Sequence, residues 1–255
     1  GAAAYDDLGS SVSGAGDVNA DGYDDFLMGA PTAAHYAGKT YLVFGQQSWS
    51  GNRTISLTFE GAVQYDRSGT SVSNVGDVNA DGYGDFLIGA PEAAGSAAFN
   101  GKAYLVLGQR GWRGNSSISL AAFEGNSSPP YQGVVFYGTA SSILGESVSS
   151  AGDVDADGYD DVLIGAPGAV SSKEAGKAYL LLGRNNWEGN SSIPLSALED
   201  SNPPYLGVVF DGAAGDILGW SVSGIGDVSG DSYAEFLRGA PFADDYAGKA
   251  YLLLG

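Results

Sequence analysis

The nine-residue stretch Asp17-Val18-Asn19-Ala20-Asp21-Gly22-Tyr23-Asp24-Asp25 returns three times in register, at Asp77–Asp85, Asp153–Asp161 and Asp227–Glu235. Each copy sets oxygen-bearing side chains at positions 1, 3, 5 and 9, and three of the four have Gly at position 6. That ladder suits a hard cation such as calcium, which takes about six to eight oxygen ligands from carboxylates, amides and backbone carbonyls together. An Asp-Gly hairpin turn without metal accounts for one copy, but not for the same oxygens four times. An EF-hand is excluded at position 12, where it needs a bidentate Glu and these loops have Met28, Ile88, Ile164 and Arg238.

The loops begin 60, 76 and 74 residues apart, a spacing that points to a propeller or another repeat array. Each unit opens on Gly-x-Ser-Val (from Gly9, Gly69, Gly145 and Gly219) and enters its loop. A second apolar run leaves the loop and stops at Gly-Ala-Pro (Gly29–Pro31, Gly89–Pro91, Gly165–Pro167, Gly239–Pro241), since Pro has no N–H to give a ladder. A third run follows Gly-Lys: Tyr41–Phe44, Tyr104–Leu107, Tyr179–Leu182 and Tyr251–Leu254. Fourth runs are Ile55–Phe59, Gly133–Phe136 and Gly207–Phe210, the last two after insertions at Asn126–Tyr131 and Ser201–Tyr205. Four β-prone runs per unit, with no helical period, predict an all-β protein of four-stranded propeller blades. A β-solenoid is the alternative, but its coils are shorter than these units.

Unit boundaries fall near residues 1–61, 62–138, 139–212 and 213–255, giving three complete blades and a fourth lacking its last strand. Such an edge invites strand addition, from neighbouring blades of a larger propeller or from copies of the same chain.

With 30 acidic residues against 11 basic ones the net charge is -19, which disfavours nucleic acid as a partner. Fifteen of those acids lie inside the four loops, and four divalent ions would bring the charge to -11. The chain has no cysteine, so neither disulfides nor thiolate zinc sites are expected. Its apolar runs are too short to insert into a membrane.

The four Gly-Ala-Pro tripeptides, each preceded by its oxygen-rich loop, resemble the FG-GAP repeat family, whose best-known members are the propellers of integrin α subunits. The resemblance covers essentially the whole chain. Its FG half is less faithful, being replaced by Leu8-Gly9, Ser68-Gly69, Leu144-Gly145 and Leu218-Gly219. The resemblance implies calcium sites in the hairpin between the first two strands of a blade. By position the ligands would be Asp17, Asn19, Asp21, the Tyr23 carbonyl and Asp25, then Asp77, Asn79, Asp81, the Tyr83 carbonyl and Asp85. The third set is Asp153, Asp155, Asp157, the Tyr159 carbonyl and Asp161, four carboxylates that should bind most tightly. The fourth is Asp227, Ser229, Asp231, the Tyr233 carbonyl and Glu235, weakened because Ser232 stands where the sharp turn needs Gly.

Sequons stand at Asn52, Asn115, Asn126 and Asn190, three of them in the recurring Trp-x-Gly-Asn-x-Ser/Thr-Ile beginning at Trp49, Trp112 and Trp187. On a secreted eukaryotic chain these would be glycosylated; the competing account is that copied repeats copy their sequons. His35 is the only histidine, in a variable loop, and with no cysteine a nucleophilic triad has no candidate. The expectation is a non-enzymatic, extracellular or cell-surface module with calcium-clamped hairpins and a structural or adhesive role. It would bind a protein or glycan ligand through its loops. The alternative is a glycosylated filament subunit completed by strands from other chains.

Overall fold

A computed structural model describes residues 3–49, 57–94, 100–112, 116–124, 131–168, 175–187, 191–199 and 207–255. All four sequons, Asn52, Asn115, Asn126 and Asn190, lie outside these residues. The chain is all-β, with propeller-type sheets that follow one another in sequence order. The first unit supplies β1 (Ser11–Gly16), β2 (Asp25–Ala30), β3 (Lys39–Val43) and β4 (Leu57–Glu60). The second supplies β5 (Val72–Gly76), β6 (Asp85–Ala90), β7 (Lys102–Val106), β8 (Ser116–Ser119) and β9 (Gly133–Tyr137). The third supplies β10 (Val148–Gly152), β11 (Asp161–Ala166), β12 (Lys177–Leu181), β13 (Ser191–Pro194) and β14 (Gly207–Asp211). Finally come β15 (Ser221–Gly226), β16 (Glu235–Ala240) and β17 (Lys249–Leu253).

Within a blade the first strands form an antiparallel meander, as short polar connections require. Two blades then depart from the four-stranded expectation. Blade one has the order β1-β2-β3-β4-β8 and blade two β5-β6-β7-β9-β13, while blades three and four have β10-β11-β12-β14 and β15-β16-β17. The fifth strands are parallel and come from the next unit: Ile118 of β8 stands opposite Phe59, and Ile193 of β13 opposite Phe136. The connection between a unit's third and fourth strands therefore closes the outer edge of the preceding blade.

The core lies between blades. One cluster joins Leu27, Leu42 and Phe59 to Phe86, Tyr104 and Trp112; a second joins Leu87, Leu105 and Phe136 to Ile164, Tyr179 and Trp187; a third joins Leu163 and Leu180 to Val222 and Phe236. Trp112 packs edge-on against both Phe59 and Phe86, at 6.0 and 5.9 Å, and Trp187 repeats this against Phe136. Trp112 and Trp187 are thus wedges between sheets.

The recurring glycines give the blades their close spacing. The Gly69 amide donates to the Gly89 carbonyl within blade two, and Gly145 to Gly165 within blade three, each at 2.9 Å. Across the boundary, Gly29 lies directly on the Gly69 carbonyl, Gly89 on that of Gly145 and Gly165 on that of Gly219. Serines tie the first strands together: Ser11 Oγ accepts from the Val72 amide at 2.8 Å, and Ser147 Oγ from that of Val222 at 3.0 Å.

Candidate metal centres

Each oxygen-rich loop spans the turn from a first to a second strand, so all four lie at the same end of their sheets. A register shift precedes each loop, between Gly14 and Gly16 in the first, and lets the chain leave the ladder sharply.

Inside the loops the amides organise the carboxylates. Asp17 Oδ1 and Oδ2 accept from the Asp21 and Gly22 amides at 3.1 and 2.8 Å, Asn19 Oδ1 accepts from Asp21 at 2.9 Å, and Asp21 Oδ1 accepts from Tyr23 at 3.0 Å. Asp77, Asn79 and Asp81 repeat this set in the second loop, and Asp153, Asp155 and Asp157 in the third. The side-chain oxygens at positions 1, 3 and 5 of these three loops are consequently fixed by donors from their own loop.

Position 9 is buried: Asp25, Asp85, Asp161 and Glu235 are at most 2% exposed. The three aspartates each receive two amides, as when Asp85 accepts from Val78 at 2.9 Å and Gly108 at 2.8 Å. Burial nevertheless dominates, pushing Asp25 up to about 6, Asp161 to about 7 and Asp85 to about 8, against those hydrogen bonds. At Asp155, burial first and then the charge of Asp157 also raise the carboxyl. These are groups that a nearby positive charge would hold ionised.

Asp153, Asp155 and Asp161 present ligand atoms within 4.8 Å of one another, as do Asp227, Asp231 and Glu235. The fourth loop thus assembles despite its substitution. Ser232 takes φ +78°, close to the +89° of Gly22, and its amide donates to Asp227 Oδ2 at 2.9 Å. That amide, followed by those of Gly230 and Asp231, holds the Asp227 carboxyl below the usual range. Ser229 contributes its amide to Glu235 Oε2, whereas Glu235 Oε1 is buried with no hydrogen-bond partner. An all-oxygen donor set with converging carboxylates and one orphaned buried oxygen fits a hard divalent cation.

Two features of the site escaped the sequence reading. One of the two amides on each position 9 aspartate comes from a glycine after the third strand, Gly45, Gly108 or Gly183, a contact invisible to local spacing. Asp160, counted only as an acid within the third loop, reaches the second loop, where its Oδ2 accepts from the Asp77 amide at 2.9 Å. His35 is exposed in the loop after the first Gly-Ala-Pro.

A family model described as FG-GAP repeat matches residues 8–43, 68–106 and 144–181. The chain is 31% identical over 238 residues to integrin alpha-6 of Gallus gallus, a match covering 91% of this chain and 19% of that one. It is 29% identical over 250 residues to integrin alpha-V of Gallus gallus, covering 93% and 20%. With integrin alpha-PS5 of Drosophila melanogaster it shares 32% over 159 residues, covering 60% and 14%. The chain therefore spans about a fifth or less of these curated relatives.

Proposed function

The chain belongs among the FG-GAP repeat proteins, and on that premise we propose that it is a non-enzymatic, calcium-stabilised propeller module of an extracellular or cell-surface protein, with a structural or adhesive role. The observation that carries this is the recurrence of four oxygen-rich hairpin loops with a buried carboxylate at position 9 of each. Calcium in such a loop would supply the positive charge that clustered carboxylates lack. The chain's own part is to hold them in place: loop amides orient positions 1, 3 and 5, strand burial fixes position 9, and the Tyr23, Tyr83, Tyr159 and Tyr233 carbonyls complete each set. Metal affinity and hairpin stability are then one linked quantity. The repeat units proposed are 1–61, 62–138, 139–212 and 213–255.

Because the second strand runs antiparallel to the first, the loops after Gly-Ala-Pro emerge at the opposite end from the cation loops. Aromatic side chains gather there in the open, Tyr36 stacked on Tyr65 at 5.9 Å and Phe242 against Trp220 and Tyr246. That end is where a protein or glycan ligand would be met, as adhesion at a cell surface asks of integrin-like repeats. Calcium titration calorimetry and chelation test the reading together. Calcium binding, and a melting temperature that falls in EDTA, are the expected results; neither calcium heat nor an EDTA shift would sink it.

A second reading is a glycosylated subunit assembled by strand addition between chains. It rests on β8 and β13, which show that these sheets accept a parallel strand from outside their own unit. Electron microscopy of the purified chain separates the two: filaments favour assembly, and discrete particles favour the recognition module.

A further inference from the structure

Consecutive cation loops are joined by backbone hydrogen bonds. The position 8 amide donates to the position 1 carbonyl of the preceding loop: Gly84 to Asp17 at 3.0 Å, Asp160 to Asp77 at 3.3 Å and Ala234 to Asp153 at 3.0 Å. A second tie runs through the end of the third strand. Gly108 donates to Asp85 at 2.8 Å while the next amide, Gln109, donates to the Val18 carbonyl of the preceding loop at 2.9 Å. Gly183 on Asp161 and Arg184 on Val78 repeat it, at 2.7 and 2.8 Å.

At the junction of loops two and three a side chain is added. Asp160 Oδ2 accepts from the Asp77 amide at 2.9 Å, whereas Gly84 and Ala234, the equivalent residues at the other junctions, carry no carboxylate. The seat is close: a Cβ on Gly76 would stand 1.9 Å from Asp160 Oδ2, so the carboxylate fits because residue 76 is Gly. Asp77 thus has its amide and its carbonyl both held by Asp160, and its carboxylate held by the Asp81 and Gly82 amides of its own loop.

We propose that Asp160 couples the second and third loops, so that a divalent cation filling one raises the affinity of the other; this rests on the calcium reading above. Asp160 sits between the Tyr159 carbonyl and Asp161, both members of the third ligand set. Ordering that set fixes Asp160, which fixes the backbone of Asp77, the first ligand of the second. The first cation therefore meets an ordering cost that the second largely avoids, and the linkage is reciprocal. Asp160 is a positioning residue and is not itself a ligand.

The test is a calcium titration of the full chain labelled with 15N-glycine, in which the Gly82 and Gly158 amides report loops two and three separately. Disabling loop three with Asp157→Ala is expected to weaken calcium binding at Gly82 about fivefold or more. In an Asp160→Ala background the same lesion should leave the Gly82 midpoint unmoved. Asp157→Asn, which keeps an acceptor for the Tyr159 amide, repeats the lesion should the alanine variant unfold. Asp160→Asn sheds the charge but keeps an acceptor, so coupling that survives it supports the hydrogen bond, and coupling lost with it overturns that assignment. A Gly82 midpoint indifferent to Asp157→Ala overturns the proposal while leaving calcium binding intact. If no loop glycine responds to calcium, the calcium reading falls first and the coupling with it.

Discussion

The α-carbon of Gly29 faces the carbonyl of Gly69 so closely that a Cβ on Gly29 would stand 2.0 Å from that oxygen. Gly89 and Gly165 meet Gly145 and Gly219 at the same 2.0 Å, whereas at Gly239 the nearest atom is the rotatable Ser221 Oγ at 2.4 Å. Backbone cannot yield as a hydroxyl can. Gly89→Ala is expected to cost about 3 kcal/mol and Gly239→Ala well under half of that, measured by urea unfolding. Equal costs would show that blade spacing is set elsewhere.

The three recurring tryptophans should differ in the same experiment. Trp112 is 5% exposed between two blades, while Trp49, paired with Phe26 at 5.8 Å, is 51% exposed. Trp112→Ala is expected to cost about 3–5 kcal/mol. Trp49→Ala should cost about 1 kcal/mol, the order of one aromatic pair.

Ser232 holds a left-handed conformation that a residue with a Cβ adopts at a cost. Ser232→Gly should raise stability by about 1 kcal/mol and tighten calcium at the fourth loop. Thermal melts in EDTA isolate the conformational part, and the added gain in calcium reports the site.

Acidity sets the last stability prediction. Burial raises the folded-state pKa of Asp25, Asp161 and Asp85 to about 6, 7 and 8, from an ordinary 3.8. Between about pH 4 and 8 the metal-free folded chain keeps protons that the unfolded chain has lost, so these groups' contribution is greatest in acid and declines as pH rises through that window. Calcium displaces the same protons, and its affinity should rise over the same range. The gap in melting temperature between calcium-loaded and chelated protein should widen from about pH 5.5 to 8; a gap that narrows contradicts it.

Much of this was legible because it is written locally. Gly-Ala-Pro, the loop oxygens and the apolar runs announce strand ends, turns and strands within a few residues of one another. The fifth strands were not: Ser116–Ser119 and Ser191–Pro194 each carry a single isoleucine, and the open edges of β4 and β9, four strands earlier in the chain, make them β by parallel pairing. In the fourth loop, where Ser232 stands for Gly, the turn is held by amides donating to Asp227, a contact that local spacing does not announce. Asp160 could be counted but not placed, since its partner lies 83 residues earlier in the chain.

The handover of β8 to blade one and β13 to blade two also decides how the molecule carries load. A pull along the chain cannot peel β4 from the outside of its sheet while β8 is strapped across it, and the parallel pairing resists as a clasp loaded in shear. Tension would then pass from blade to blade through these straps, at β4 and at β9. Single-molecule stretching should register the straps as force-bearing steps, a mechanical property of a module whose neighbouring units, and not its own loops, bolt its edges shut.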